Sequence, residues 1–248
     1  MSLDMTKKLT PNLCRLSIGN DPLSIFDRHK LFCQTWRLLL YGCGQFPDYY
    51  SLKDIPIGTV NQHPIDTTEK DHSRKTVKFL HTLSHLEEGL LTTASHQPIY
   101  FFLILIGNVA TNPRRALLLD MSDCSEERLH GPAAHLPNFS EFHRTLIQHP
   151  FYSRAVNEEK PSRIHLYLCG PKSLRSSVFL PKVNFRLSDS CPVHVIQAVV
   201  NSRHSLLIDD ADVNDKLYRV QQVLYNCPSE LLWFSSSSLL SGVKAGGS

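Results

Sequence analysis

The chain has 248 residues, 42% of them hydrophobic and 20% charged, enough for one domain with a sizeable core. Its net charge is +3 with histidine neutral, and the basic residues are dispersed, with no lysine/arginine block and no basic-aromatic array, so nothing favours a nucleic-acid surface. The longest apolar run, Ile99 to Ile106, is less than half of the roughly 20 residues a membrane helix needs.

The first stretch, residues 1–12, is polar, carries Lys7 and Lys8, and lacks the apolar core of a signal peptide, so it reads as a flexible tail. Leu13, Leu16 and Ile18 suggest a short strand, and Gly19 to Pro22 a turn. Ser24-x-x-Asp27 has the form of a capping box opening a helix to about Tyr41, with Phe32, Trp36, Leu39 and Cys43 as its apolar stripe and Gly42 and Gly44 at its end. Residues 54–66 carry Pro56, Gly58 and Pro64 and read as a loop. Thr68-x-x-Asp71 can cap a second helix running to about Thr93, whose stripe includes Phe79, Leu83, Leu86 and Leu90. Ile99 to Ile106 is continuously apolar and aromatic, as a central strand buried on both faces requires. Arg115 to Met121 reads as a returning strand, Ser122 to Asn138 as a loop, and Phe139 to His149 as a third helix that Pro150 stops or kinks.

Ile164 to Cys169 reads as a strand. In Phe179 to Leu187, Val183, Phe185 and Leu187 alternate with Asn184 and Arg186, which predicts a half-buried strand with Pro181 at its start or on an edge. Val193 to Val200 is a further strand, residues 201–215 an acidic loop, and Lys216 to Tyr225 fits helix or strand equally. Leu231 to Phe234 reads as a strand, and Leu239, Leu240 and Val243 could pair as one last edge strand. Helices grouped on one face of a mostly antiparallel sheet make this α+β.

Candidate chemistry is sparse. There is no P-loop and no G-x-G-x-x-G, H-E-x-x-H or G-x-S-x-G. His81 and His85, with Glu88 one turn on, share a helical face at a spacing that can hold a metal, but both histidines also simply flank an apolar stripe. Cys169-Gly170-Pro171 is similar to the strand-to-loop element of flavin reductases, without the glycine-rich phosphate loop that should precede it. Asp209, Asp210, Asp212 and Asp215 lack the glycine and terminal glutamate of a calcium loop. The seven cysteines are odd in number and show no C-x-x-C spacing, which points to mostly buried, reduced thiols and a cytosolic or nuclear setting.

Four stretches in order resemble one family. They are Arg74-Lys75 through Leu83-Ser-His-Leu-Glu87 to Leu103-Ile-Leu-Ile-Gly-Asn108; Pro113 to Asp120; Phe179-x-Pro181-Lys182-Val183-Asn184-Phe185-Arg186, close to the family's F-x-P-K-L-N-Y-R; and Leu232-Trp233-Phe234. Cys33, Tyr41 and Pro47 fall in register as well. The chain resembles the HORMA-domain family, specifically its comet-type, Mad-two-binding members, over roughly Phe32 to Gly242. The resemblance implies three helices on one face of a mostly antiparallel sheet, with a C-terminal safety belt adding strands at its edge. The HORMA-like domain it implies takes in residues 13–244, with 201–227 as a variable insertion within it.

It also implies a non-catalytic adaptor with no cofactor and no metal. Such an adaptor binds the closed conformer of the spindle-checkpoint protein Mad-two and presents it to a Pch-two-type AAA+ ATPase (thyroid hormone receptor interactor thirteen). That silences the mitotic checkpoint from the nucleus and cytoplasm, with the spindle or kinetochores as its mitotic address. Two surfaces carry over. The third helix would meet Mad-two through Phe142, His143, Arg144, Leu146 and Ile147, with Leu146 standing where the family has an aromatic. Gly42 stands where the family has a glutamine, with Gln45 as its nearby substitute. Pro181 and Lys182 match the pair that meets the ATPase. Other HORMA scaffolds, in meiosis or repair, and less closely a flavin-dependent reductase, are the alternatives.

Overall fold

The structure, a computed structural model, describes residues 11–19, 23–47, 72–94, 97–124, 139–156, 160–200 and 210–243. The expected tail, the loop at 54–66, the Thr68-Asp71 cap and most of the loop at 122–138 lie outside these. Among the described residues the protein is mixed α+β, with five α-helices and an eight-stranded, mostly antiparallel sheet.

Strand β1 (Asn12–Ser17) leads to helix α1 (Ile25–Gly42). Ser24 caps that helix as its spacing predicts: its Oγ accepts from Asp27 N at 3.1 Å and donates to the Asp27 carboxylate at 2.6 Å. Gly44, at φ 64°, turns the chain where an L side chain would be strained. Helix α2 (His72–Ala94) follows, then the hairpin of β2 (Phe101–Ile106) and β3 (Arg115–Asp120). Helix α3 (Ser140–Gln148) stops at His149, and Pro150 begins the short α4 (Pro150–Ala155). The proline sits at a helix start, where its missing N–H costs nothing.

Strands β4 (Arg163–Pro171), β5 (Phe179–Lys182) and β6 (Val193–Val199) precede helix α5 (Asp210–Tyr225). The chain closes with β7 (Leu231–Ser236) and β8 (Leu240–Ser241). The sheet runs β1-β6-β3-β2-β4-β7-β5, with β8 beside the start of β4. Only β6 pairs in parallel, with β1 and β3.

Strand β2 is buried throughout, as its apolar run predicts, and its alternate side chains feed two cores. Phe102, Ile104 and Ile106 join the core under α1 to α4, where Phe32 stacks on Phe102 at 4.0 Å. Phe101, Leu103 and Leu105 join a second core on the opposite face, covered by Val220, Val223 and Leu224 of α5.

That second layer corrects two expectations. Helices cover both faces of the sheet, not one, and Asp210 to Asp215 are helical rather than loop. The acidic residues suit a helix N-terminus, where the macrodipole favours negative charge. A third correction concerns β5. The strand occupies Phe179–Lys182, and Val183 and Asn184 form a turn, with Asn184 at φ 63° and Val183 67% exposed. Phe185 and Leu187 still face the second core, because the segment after the turn folds under α5. Leu187 N donates to Leu224 O, and the Phe185 ring packs between Tyr167 and Trp233.

Candidate functional site

Helix α3 is amphipathic, and its five candidate residues divide between its two sides. Phe142 and Leu146 are buried in the core beneath the helix, Leu146 completely. Leu146 therefore anchors α3 to its own domain and has no surface to offer a partner. Arg144 is 68% exposed, beside Glu141 one turn back, and Ile147 is 49% exposed. His143 lies at the seam, its Nε2 3.0 Å from Thr35 Oγ1 of α1.

The two candidates at the end of α1 are structural. At Gly42 a Cβ would sit 2.6 Å from Tyr152 Oη and 3.0 Å from Val156, so the glycine lets α4 close against α1. Gln45 is fully buried. Its Nε2 donates to Cys43 O, its Oε1 accepts from Ser162 N at 2.7 Å, and its backbone carbonyl accepts from Val243 N at 2.8 Å. One side chain thus joins the α1 turn to the start of β4, and its backbone holds the C-terminal segment. Neither residue matches the expectation of a free binding group.

Burial holds His143 and His194 well below the usual imidazole range, both to about 4, with Arg115 and Arg154 adding to the effect at His194. The unfolded chain binds these protons first, so stability is full above about pH 6.5 and falls as pH drops toward 4. Chemical unfolding is expected to show about 2 kcal/mol lost at His143 between pH 7 and pH 5, and less at the half-buried His194, where solvent screens the effect. Burial raises the carboxyls of Glu87 and Asp120. Their uptake of protons in the folded state offsets part of that loss at the acid end. A flat profile over this range would contradict the assignment.

The second candidate surface is the corner at Pro181 and Lys182. Among the described residues, strand β5 is the last strand of the sheet and pairs only with β7. Val178 O accepts from Ser237 N at 2.8 Å. By the alternation of an antiparallel ladder, Leu180 and Lys182 then aim their backbone groups at β7, and Phe179 and Pro181 aim theirs outward. Ser176 Oγ accepts from Phe179 N at 3.0 Å, and Pro181 has no N–H. This edge presents carbonyls but no donors, which protects it from strand addition. Helix α2 fixes the arrangement: Thr93 Oγ1 lies 2.7 Å from Ser176 Oγ, and a Cβ at Gly89 would collide with Val178.

What the corner offers a partner is therefore side chains. Lys182 is exposed, Leu180 is 51% exposed and Val183 67%. Beside them opens a cleft of about 660 Å³, walled by Tyr225, Cys227 and Trp233, with Lys172, Lys182 and Arg186 around it and no carboxylate among the described residues that line it. Composition and motif spacing gave no sign of this cleft, because its walls come from the ends of β5 and α5, the turns that follow them, and β7, with Lys172 just past β4.

The remaining candidates do not converge. His81, His85 and Glu88 are exposed on α2, and the described residues contain no group of three metal-ligating side chains that could hold an ion. Cys169-Gly170-Pro171 lies within β4, with Cys169 buried and Gly170 tight against Pro98 O. The acidic stretch from Asp210 is the first part of α5.

A buried ion pair that motif reading did not assign joins the first two helices. Arg37 of α1 grips Glu87 of α2 in bidentate fashion, Nε to Oε1 at 2.8 Å and Nη2 to Oε2 at 2.5 Å, with side-chain exposures of 3% and 1%. Glu87 closes the Ser84-His-Leu-Glu87 stretch that carries the family resemblance. No family model matches the chain, and no curated protein matches it.

Proposed function

We propose that this protein is a HORMA-type, non-catalytic adaptor of the mitotic checkpoint. It binds closed Mad-two through the outer face of α3 and offers the Pro181-Lys182 corner to a Pch-two-type AAA+ ATPase. The observation that carries the reading is the Phe179-x-Pro181-Lys182 stretch. The residues resembling the family's ATPase-binding pair stand exposed at a sheet edge whose backbone cannot recruit a strand, and Phe179 beneath them is fully buried. A stiff proline beside an exposed lysine loses little entropy on docking, and the lysine meets an acidic surface. The C-terminal strands supply a second support. β7 and β8 both lie along β4, with the chain's own β5 outside β7, as a belt closed on its own segment would be.

In this reading the Mad-two surface is Arg144 and Ile147 with the exposed edge of His143, while Phe142 and Leu146 hold the helix in place. The test uses purified full-length chain, closed Mad-two and the ATPase. The expected result is a complex with Mad-two at micromolar concentrations that the double variant Pro181→Ala/Lys182→Ala leaves intact, while recruitment of the ATPase is lost. If both activities survive in that variant, the corner serves only to protect the sheet edge.

A further inference from the structure

Strand β7 starts at Leu231, but its pairing with β5 begins only at Trp233. Past Lys182 the chain turns aside through Val183 and Asn184, and Asn184 takes φ 63°. On the other side of β7, Lys172 N donates to Glu230 O at 3.2 Å. By the alternation of the ladder, Glu230 and Leu232 aim their backbone groups at β4, and Leu231 aims its own at the space β5 has left. Leu231 N is taken by Pro228 O at 3.0 Å, and no described backbone donor reaches the Leu231 carbonyl. Leu231 lines the cleft of about 660 Å³ that opens here, together with the half-buried Leu232 and Phe185. Lys172, Lys182 and Arg186 stand exposed around it. Asp189, outside the lining, pairs with Arg186 at 3.0 Å. Among the described residues Lys172 and Lys182 form no ion pair.

We propose that this cleft is a docking slot for an acidic linear segment of a partner protein, which enters it extended, with an apolar side chain flanked by aspartate or glutamate. The segment takes up the β7 pairing where β5 leaves it: one of its amides donates to the Leu231 carbonyl. Its apolar side chain covers the exposed parts of Phe185, Leu231 and Leu232. Its carboxylates meet Lys172 and Lys182, whose charge no carboxylate among the described lining residues offsets. Charge complementarity and an open main-chain acceptor together select a peptide. A single inorganic anion would leave most of the volume and the apolar wall uncovered. A nucleic acid would need a ring face on which to stack a base. Trp233 is 1% exposed, and the Phe185 ring packs between Tyr167 and Trp233 at 4.8 and 4.9 Å. The slot shares Lys182 with the corner proposed for the ATPase but does not rest on that reading.

The test uses the purified full chain alone, without Mad-two or the ATPase, so its outcome is independent of theirs. The probe is a capped synthetic peptide, Glu-Asp-Phe-Asp-Glu, titrated by calorimetry and by proton–nitrogen NMR of the two tryptophan indoles. The expected result is saturable binding that weakens with added salt. It shifts the indole signal of Trp233, which lines the cleft, while that of Trp36, in the core on the opposite face of the sheet, stays fixed. The peptides Gln-Asn-Phe-Asn-Gln and Glu-Asp-Gly-Asp-Glu should each bind at least about tenfold more weakly. Lys172→Glu/Arg186→Glu, shown by melting to be folded, should lose at least about tenfold in affinity for the acidic probe. Wild-type affinity in that variant, equal binding of the neutral peptide, binding that leaves Trp233 unmoved, equal or tighter binding of a single-stranded oligonucleotide, or no saturable binding would each overturn the proposal.

Discussion

Glu87→Leu is expected to cost about 3–5 kcal/mol of stability, lowering Tm by roughly 10 °C for a chain of this size. The Arg37 guanidinium is 3% exposed and faces the Glu87 carboxylate through two hydrogen bonds. Removing the carboxylate takes away both of these bonds and leaves the cation in the core without its Glu87 counter-charge. Arg37→Met is less severe, because burial already raises the Glu87 carboxyl, and protonation relieves the orphaned charge. The double variant Arg37→Met/Glu87→Leu should regain most of the loss, since a buried pair is often matched by apolar side chains of similar volume. Guanidinium unfolding of the three variants checks this. A single Glu87→Leu within about 0.5 kcal/mol of wild type, the range of an ordinary surface change, would mean that the pair does not hold α1 to α2.

The second large effect separates the two sides of α3. Leu146→Ala is expected to cost about 2–5 kcal/mol, through lost transfer energy and the cavity left behind, because Leu146 is wholly buried. Leu146→Glu should cost more, so any loss of binding in it reports unfolding. Ile147→Glu, on the neighbouring exposed position, should change stability by only about 0.5 kcal/mol yet weaken a Mad-two complex by at least about tenfold, because it desolvates a charge in an apolar contact. Calorimetric melting and titration of the same samples separate the outcomes. Tight binding by a folded Ile147→Glu would remove the outer face of α3 from the interface.

Where pattern and packing agree, the sequence was readable to within a residue or two. The Ser24 cap, the doubly buried β2 and the stop at Pro150 each follow from local chemistry that tertiary contacts do not override. The misses share a cause. Val183, Phe185 and Leu187 alternate like a strand, but the turn at Asn184 redirects them, and two of the three find burial under a helix that lies elsewhere in the chain. That helix, α5, begins with acids that read as a loop, and its stripe of Val220, Val223 and Leu224 becomes decisive only when the second face of the sheet needs cover. Leu146 and Gln45 were legible as residues but not as roles. Alignment to a motif gives a position along a helix or turn, and the direction in which a side chain points depends on what packs there. The cleft beside Lys182 was not legible at all, since segments far apart in the chain build it.

The most direct measurement of the central claim is titration of the purified chain into Mad-two held in its closed conformer, with open Mad-two as the comparison. The account predicts a one-to-one complex at micromolar concentrations with the closed form and markedly weaker binding to the open form. Absence of any complex with closed Mad-two from a matched species, by a chain shown to be folded in the same buffer, would contradict it.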